Sequence, residues 1–223
     1  MSSLGERTWM EQQQRGRRTL LVPVGSFEQH GSHLPLTTDT IVATTVCNDV
    51  ATVRDVDVAP AFPYGASGEH EGFWGLLSLG TDATAQALVE LVRSARASWS
   101  RLVFVSGHGG NFEALHRVVT VAQVEGDDVL VWFPTDHEGD AHAGVTETSV
   151  LLSVDPALVR EERAVFAAPE GWMAQARRSG VRAISPTGVL GDPSDATAER
   201  GRTLRARWCG EVVALVDRPR RES

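Results

Sequence analysis

The chain has 223 residues, enough for one domain, residues 1–223, with a sizeable apolar core. It is 42% hydrophobic and 22% charged, the composition of an ordinary globular protein. Its formal net charge of −8 argues against nucleic acid or an anionic membrane as partner, because both reward clustered positive charge.

All 21 basic residues are arginine, so lysine-dependent chemistry is excluded: no Schiff base, no Ser–Lys pair, no Walker lysine. Cys47 and Cys209 lie far apart without C-x-x-C spacing, which fits reduced thiols better than a disulfide. The N-terminal stretch has no apolar signal core, and no run approaches the ~18 apolar residues of a membrane span. The expectation is a soluble, cytoplasmic protein.

In chain order, short β-branched runs alternate with longer helical ones. "TLLVPV" (19–24) reads as a buried strand, and residues 40–53 as a helix with Thr38 or Asp39 near its N-cap. "VDVAPAF" (56–62) suggests a second strand. Residues 82–99 form the clearest amphipathic helix. "RLVFVS" (101–106) is a strand, 111–124 a helix, and "DVLVWF" (128–133) a strand. A helix containing "TETSVLLSV" ends before Asp155-Pro156, and a last one covers 197–216. This alternation predicts an α/β three-layer sandwich with a mostly parallel central sheet. In such sheets ligands bind beyond the carboxyl ends of the strands.

Those ends are where the chemistry collects. "GSFEQHGSHLPLTTD" follows the first strand, "GHGGN" the strand at 101–106, and "PTDHEGDAHAGVTETS" the strand at 128–133. Five of the seven histidines lie in these three segments. Carboxylates and imidazoles together suit Zn²⁺, Mn²⁺ or Fe²⁺. Glu28 and His30, two apart in a loop, can reach two different ions. Asp39, at a helix start, can bridge them, or can simply cap the helix. His108 leaves a strand end where Gly109-Gly110 lets backbone pack closely. Glu147 can complete a second ion. His142, in a Gly/Ala-rich turn, is the acid/base candidate, since an ordinary imidazole titrates near neutral pH. Glu69, His70 and Trp74, in the Gly-rich loop "YGASGEHEGFWG", are candidate substrate contacts. His33 reads as a packing residue or a support for a ligand, His116 as structural, and His137 with Glu138 as surface.

Three segments carry a family resemblance: "PVGSFEQHGSHLPLTTD", "SGHGGN" and "DAHAGVTETS". They resemble the creatininase family of metal-dependent amidohydrolases, and the likeness runs from Leu20 to about Pro193. The resemblance implies a dinuclear centre of two divalent ions (Zn, Fe or Mn), with Glu28, His30, Asp39, His108 and Glu147 as ligands and Asp39 as the bridge. It implies His142 as the catalytic histidine, and a homo-oligomer. Members that open creatinine carry tyrosine and glutamate where this chain has Gly109 and Gly110, and tryptophan where it has Glu138. The segments "GDAHAG-x-TETS" and "GVLGDP" are closest to a peptidase branch that releases the modified C-terminal Val-Tyr portion of a ribosomal precursor peptide. A Gly-Thr typical of the family is Gly75-Leu76 in this chain. Other expectations are a formamide or creatinine-type cyclic amide as substrate and, outside enzymes, an anion-binding module or a structural subunit.

Overall fold

The computed structural model describes residues 4–136 and 140–220. Four strands form one parallel sheet in the order β2-β1-β3-β4: β1 (Arg18–Val24), β2 (Asp57–Val58), β3 (Trp99–Ser106) and β4 (Val129–Trp132). The helices are α1 (Trp9–Arg15), α2 (Thr38–Val53), α3 (Gly80–Ala95), α4 (Phe112–Glu125), α5 (Val145–Val154), α6 (Trp172–Ser179) and α7 (Ala198–Val216).

Both sheet faces are covered, which explains why the strands read as continuous apolar runs. Leu21, Val103 and Val105 pack with Val46, Val150, Leu204 and Trp208 beneath α2, α5 and α7. The alternate positions Leu20, Val22, Val24, Leu102 and Phe104 pack with Leu88, Val92, Leu115 and Val118 beneath α3 and α4. A smaller cluster of Ala176, Val181 and Leu190, flanked by Phe166 and Trp172, surrounds α6. Among the described residues no helix is long and apolar enough to cross a membrane.

The predicted strand at 56–62 is reduced to Asp57–Val58, followed by single contacts of Ala59 and Phe62 with β1. Pro60 and Pro63 lack the N–H that a regular ladder needs. Two helices have no counterpart in the sequence reading. One is α1, which opens on a capping box between Thr8 and Glu11. It is fastened to the sheet by the buried Asp57, which accepts from Arg7 at 2.5 Å, Gln12 at 2.8 Å and Trp99 at 3.0 Å. The other is α6, whose short apolar face is too weak a periodic signal to stand out.

Sheet order reverses at β1: the chain goes to β2 on one side and to β3 and β4 on the other. The crevice at such a switch point is where parallel sheets hold ligands.

Candidate active site

The loop after β1 buries Glu28 completely and turns its Oε2 to the Ser26 hydroxyl, 2.6 Å away. Two residues on, His30 is also fully buried. Asp39 and Glu147 lie in the first turns of α2 and α5, where the helix dipole favours an anion. His108 directly follows the β3 loop turn. Gly107 lets it do so, because a Cβ there would fall 2.1 Å from the Asp39 carbonyl oxygen. One side chain pins these segments together. Asn111 donates to the Gly25 carbonyl at 3.0 Å and accepts from the Ala66 amide at 2.9 Å. The segments after β1, β2 and β3 thus share one buried amide.

The donor atoms of Glu28, Asp39 and His108 lie within 4.8 Å of one another, as do those of His30, Asp39 and Glu147. Asp39 belongs to both groups. A third group, Glu28 with His30 and His142, overlaps them. His108 Nδ1 is 3.3 Å from Glu28 Oε1 and 3.6 Å from Asp39 Oδ2. His30 Nε2 is 3.3 Å from Asp39 Oδ1 and 3.8 Å from Glu147 Oε1. Glu28 Oε1 and Asp39 Oδ2 are buried and accept no well-formed hydrogen bond; the nearest donor-capable atom to Glu28 Oε1 is His70 Nε2, 3.0 Å away. Leaving carboxylate oxygens so is costly unless a cation meets them.

The electrostatics carry the same demand. Burial works against a charged His30, yet Asp39 and Glu147 outweigh it and raise the imidazole to about 10. Burial likewise opposes charge on His108, but Glu28, Glu69 and Asp39 lift it to about 10. Burial pushes Glu28 up to about 8 and Glu147 to about 7. The cluster therefore draws positive charge to its centre. Oxygen and imidazole donors on two sides of a shared carboxylate fit divalent ions such as Zn²⁺ or Mn²⁺.

His142 stands in a different position. Its Nε2 is 2.8 Å from the Gln29 main-chain carbonyl oxygen and 3.0 Å from the Gln29 side-chain amide nitrogen, so Gln29 holds the ring at that nitrogen. Nδ1 lies 3.9 Å from Glu28 Oε1. Burial, with His30 and His70 nearby, holds this imidazole well below its ordinary value, so it is neutral. Gln29 also orders the neighbouring ring: its amide nitrogen is 2.9 Å from His70 Nδ1 and 3.1 Å from the Gly188 carbonyl.

Glu69 and His70 line the cavity over the cluster, and Glu69 Oε1 is 3.3 Å from His108 Nε2. A carboxylate there fixes the tautomer that turns Nδ1 toward Glu28 and Asp39. Gly110 leaves the space for it, since a Cβ would come 2.3 Å from His108 Nε2 and 2.5 Å from Glu69 Oε1. Trp74 is a correction. It is 96% exposed and does not line this cavity, because its loop turns outward between Gly72 and Gly75. His33 is buried 3.0 Å from the Thr148 hydroxyl, and burial lowers it to about 4. His116, read as structural, is instead exposed at the cavity, stacked on Phe112. His137 and Glu138 lie outside the described residues.

The cavity has a volume of about 1270 Å³. That exceeds the roughly 300–1,000 Å³ of usual small-molecule pockets. Besides the cluster it is lined by Phe112 and Glu113 of α4 and by Trp172, Met173, Arg177 and Arg178 of α6. The sequence reading missed Gln29, Asn111 and the arginines. Gln29 sits between two candidate ligands and Asn111 ends "GHGGN", so position alone could have flagged both; nothing flagged the arginines.

A family-wide sequence profile described as "Creatininase: Creatinine amidohydrolase" matches residues 5–216. The chain belongs to the creatininase family. Like other members of this hydrolase family it is similar to enzymes of more than one name. It is 49% identical over 214 residues to a mycofactocin precursor peptide peptidase of Mycobacterium tuberculosis (strain CDC 1551 / Oshkosh), covering 90% of this chain and 85% of that one. It is 50% identical over 212 residues to the mycofactocin precursor peptide peptidase of Mycolicibacterium smegmatis, covering 91% and 84%. Among solved structures, a creatininase mutant described as of the Zn-Zn type superposes with a TM-score of 0.80 at 26% identity, covering 97% of this chain and 98% of that one.

Proposed function

We propose that this creatininase-family chain is a metal-dependent peptidase that hydrolyses a modified mycofactocin precursor peptide and releases its modified C-terminal Val-Tyr portion. The observation that carries the reading is the Asp39-centred cluster, with two buried carboxylate oxygens accepting no well-formed hydrogen bond, at the base of a cavity large enough for a peptide. The identity to peptidase-named relatives along nearly the whole chain supports this substrate over creatinine. Gly109 and Gly110, in place of the side chains of creatinine-opening members, agree with it.

Glu28, Asp39 and His108 would hold one divalent ion, and His30, Asp39 and Glu147 a second. Bound there, such ions supply Lewis acidity and a nucleophile usable at neutral pH. The chain's own residues do the rest. His142 Nδ1 accepts a proton during attack on the scissile amide and returns it to the leaving nitrogen. Gln29 holds the ring at Nε2, which leaves Nδ1 as the nitrogen on the side of the cluster. Ser26 orients Glu28, and Glu69 orients His108. Glu69 and His70 also face the cavity, where they contact the peptide.

The test is incubation of metal-replete protein with the modified precursor peptide, followed by mass spectrometry. A released C-terminal fragment is the expected result. Creatinine and a formamide substrate run alongside; turnover of either, with the peptide intact, overturns the reading.

A further inference from the structure

The segment around α6 contains several arginines, and they differ in how they are used. Arg163 donates to the Pro193 carbonyl at 3.2 Å, and Arg160 to the Leu158 carbonyl at 2.6 Å. Arg182 donates to the Gly72 carbonyl and lies over the Phe73 ring, 5.6 Å from its centroid. Each of these fastens the chain to itself. Arg177 and Arg178, in the last turn of α6, do not. Both are exposed, both line the catalytic cavity, and neither makes a hydrogen bond or ion pair with any described residue.

Their setting makes this meaningful. α6 packs against the turn Gly68–His70, which carries two of the side chains facing the cluster. Its Ala176 is buried beneath Leu190, so the helix is anchored while its arginines face the cavity. Four of the five acids of the lining are otherwise engaged: Asp39 and Glu147 belong to the cluster, Glu69 approaches His108, and Glu113 pairs with Arg117. Glu71 lines the cavity too, yet forms no ion pair with either arginine. Guanidinium groups are planar donors suited to carboxylates. Two of them stand unpaired among the described residues of the cavity lining, open to an anion that a substrate would bring.

Resting on the peptidase reading, we propose that Arg177 and Arg178 are specificity residues that hold a carboxylate of the peptide substrate while its scissile amide sits over the cluster. That carboxylate belongs either to an acidic side chain or to the chain terminus of the peptide.

The test compares metal-replete wild-type protein with the Arg177→Gln/Arg178→Gln double variant. Three peptides derived from the precursor are used: the parent, one with its acidic side chains replaced by their amides, and one ending in a C-terminal amide. KM and kcat are read for each. On the parent peptide the double variant should raise KM roughly ten- to a hundredfold, as expected for losing charge-assisted hydrogen bonds. Its kcat should stay within about threefold, because the arginines do not touch the reacting atoms. One neutralised peptide should show the same raised KM with wild-type protein and no further rise with the variant; which one does so names the source of the anion. An unchanged KM on the parent peptide overturns the assignment, and so does an equal loss on all three peptides. If wild-type protein cleaves none of them, the peptidase reading itself fails and this proposal falls with it. Circular dichroism and metal content of the variant should match wild type, since both side chains are exposed.

Discussion

The base of the cavity and its α6 wall are built on opposite terms. At the base, Glu28, His30 and Asp39 are at most 1% exposed, held by strand ends and helix starts, with carboxylates and imidazoles crowded together. On the wall, Arg177 and Arg178 are exposed and owe nothing to the fold. The base spends stability on concentrating charge, and the wall spends none. Chemistry that must not vary sits on the rigid sheet edge, and choice of substrate sits on a short helix that can change without disturbing it.

The largest effect expected from breaking this division is at Asp39. Asp39→Ala removes the carboxylate common to two donor groups. Bound metal should fall to background by elemental analysis, with activity down more than about a thousandfold. Exhaustive chelation of the wild type should give the same loss, reversed by added Zn²⁺ or Mn²⁺. His142→Ala comes next, with kcat lower by roughly 10²–10⁴-fold and metal content unchanged. A normal rate in that variant would remove His142 from the mechanism. Glu69→Gln, or Gly110→Ala pressing on Glu69 and His108, should weaken metal affinity by about 10–100-fold in a competition titration.

The smallest effect on catalysis is expected far from both regions, at Asp57. Burial alone would raise its carboxyl, but hydrogen bonds from Arg7, Gln12 and Trp99 hold it below the usual carboxylate range. Its contribution to stability is therefore complete above about pH 4, the unfolded value. It is lost as pH falls through the lower folded value. Asp57→Ala should cost about 3–5 kcal/mol of unfolding free energy at pH 7, as for breaking a buried pair. The gap to wild type should narrow in acid, measured by urea unfolding at pH 7 and pH 3. Turnover per folded molecule should not move. A change in turnover there would mean that the sheet edge and the α1 attachment are not independent.

Much of the base could be read from the sequence. Glu28, His30, Asp39, His108 and Glu147 stand out because acids and imidazoles after β-branched runs make no sense as core, and a parallel sheet gathers strand ends. The helix boundaries of α2, α5 and α7 followed from periodicity and from Asp155-Pro156. The wall was illegible for a physical reason. Its helix is eight residues long, and its one buried residue is Ala176, so it leaves no apolar stripe to read. Trp74 shows a different limit: a large ring near glycines looks like a pocket wall in the sequence, and the structure leaves it 96% exposed in a loop where Gly72 and Gly75 have positive φ.

Asn111 bears on how this protein is assembled. A single amide rivets three crossovers, so the loops that carry Glu28, Glu69 and His108 share one anchor, and whatever shifts that amide shifts all three together.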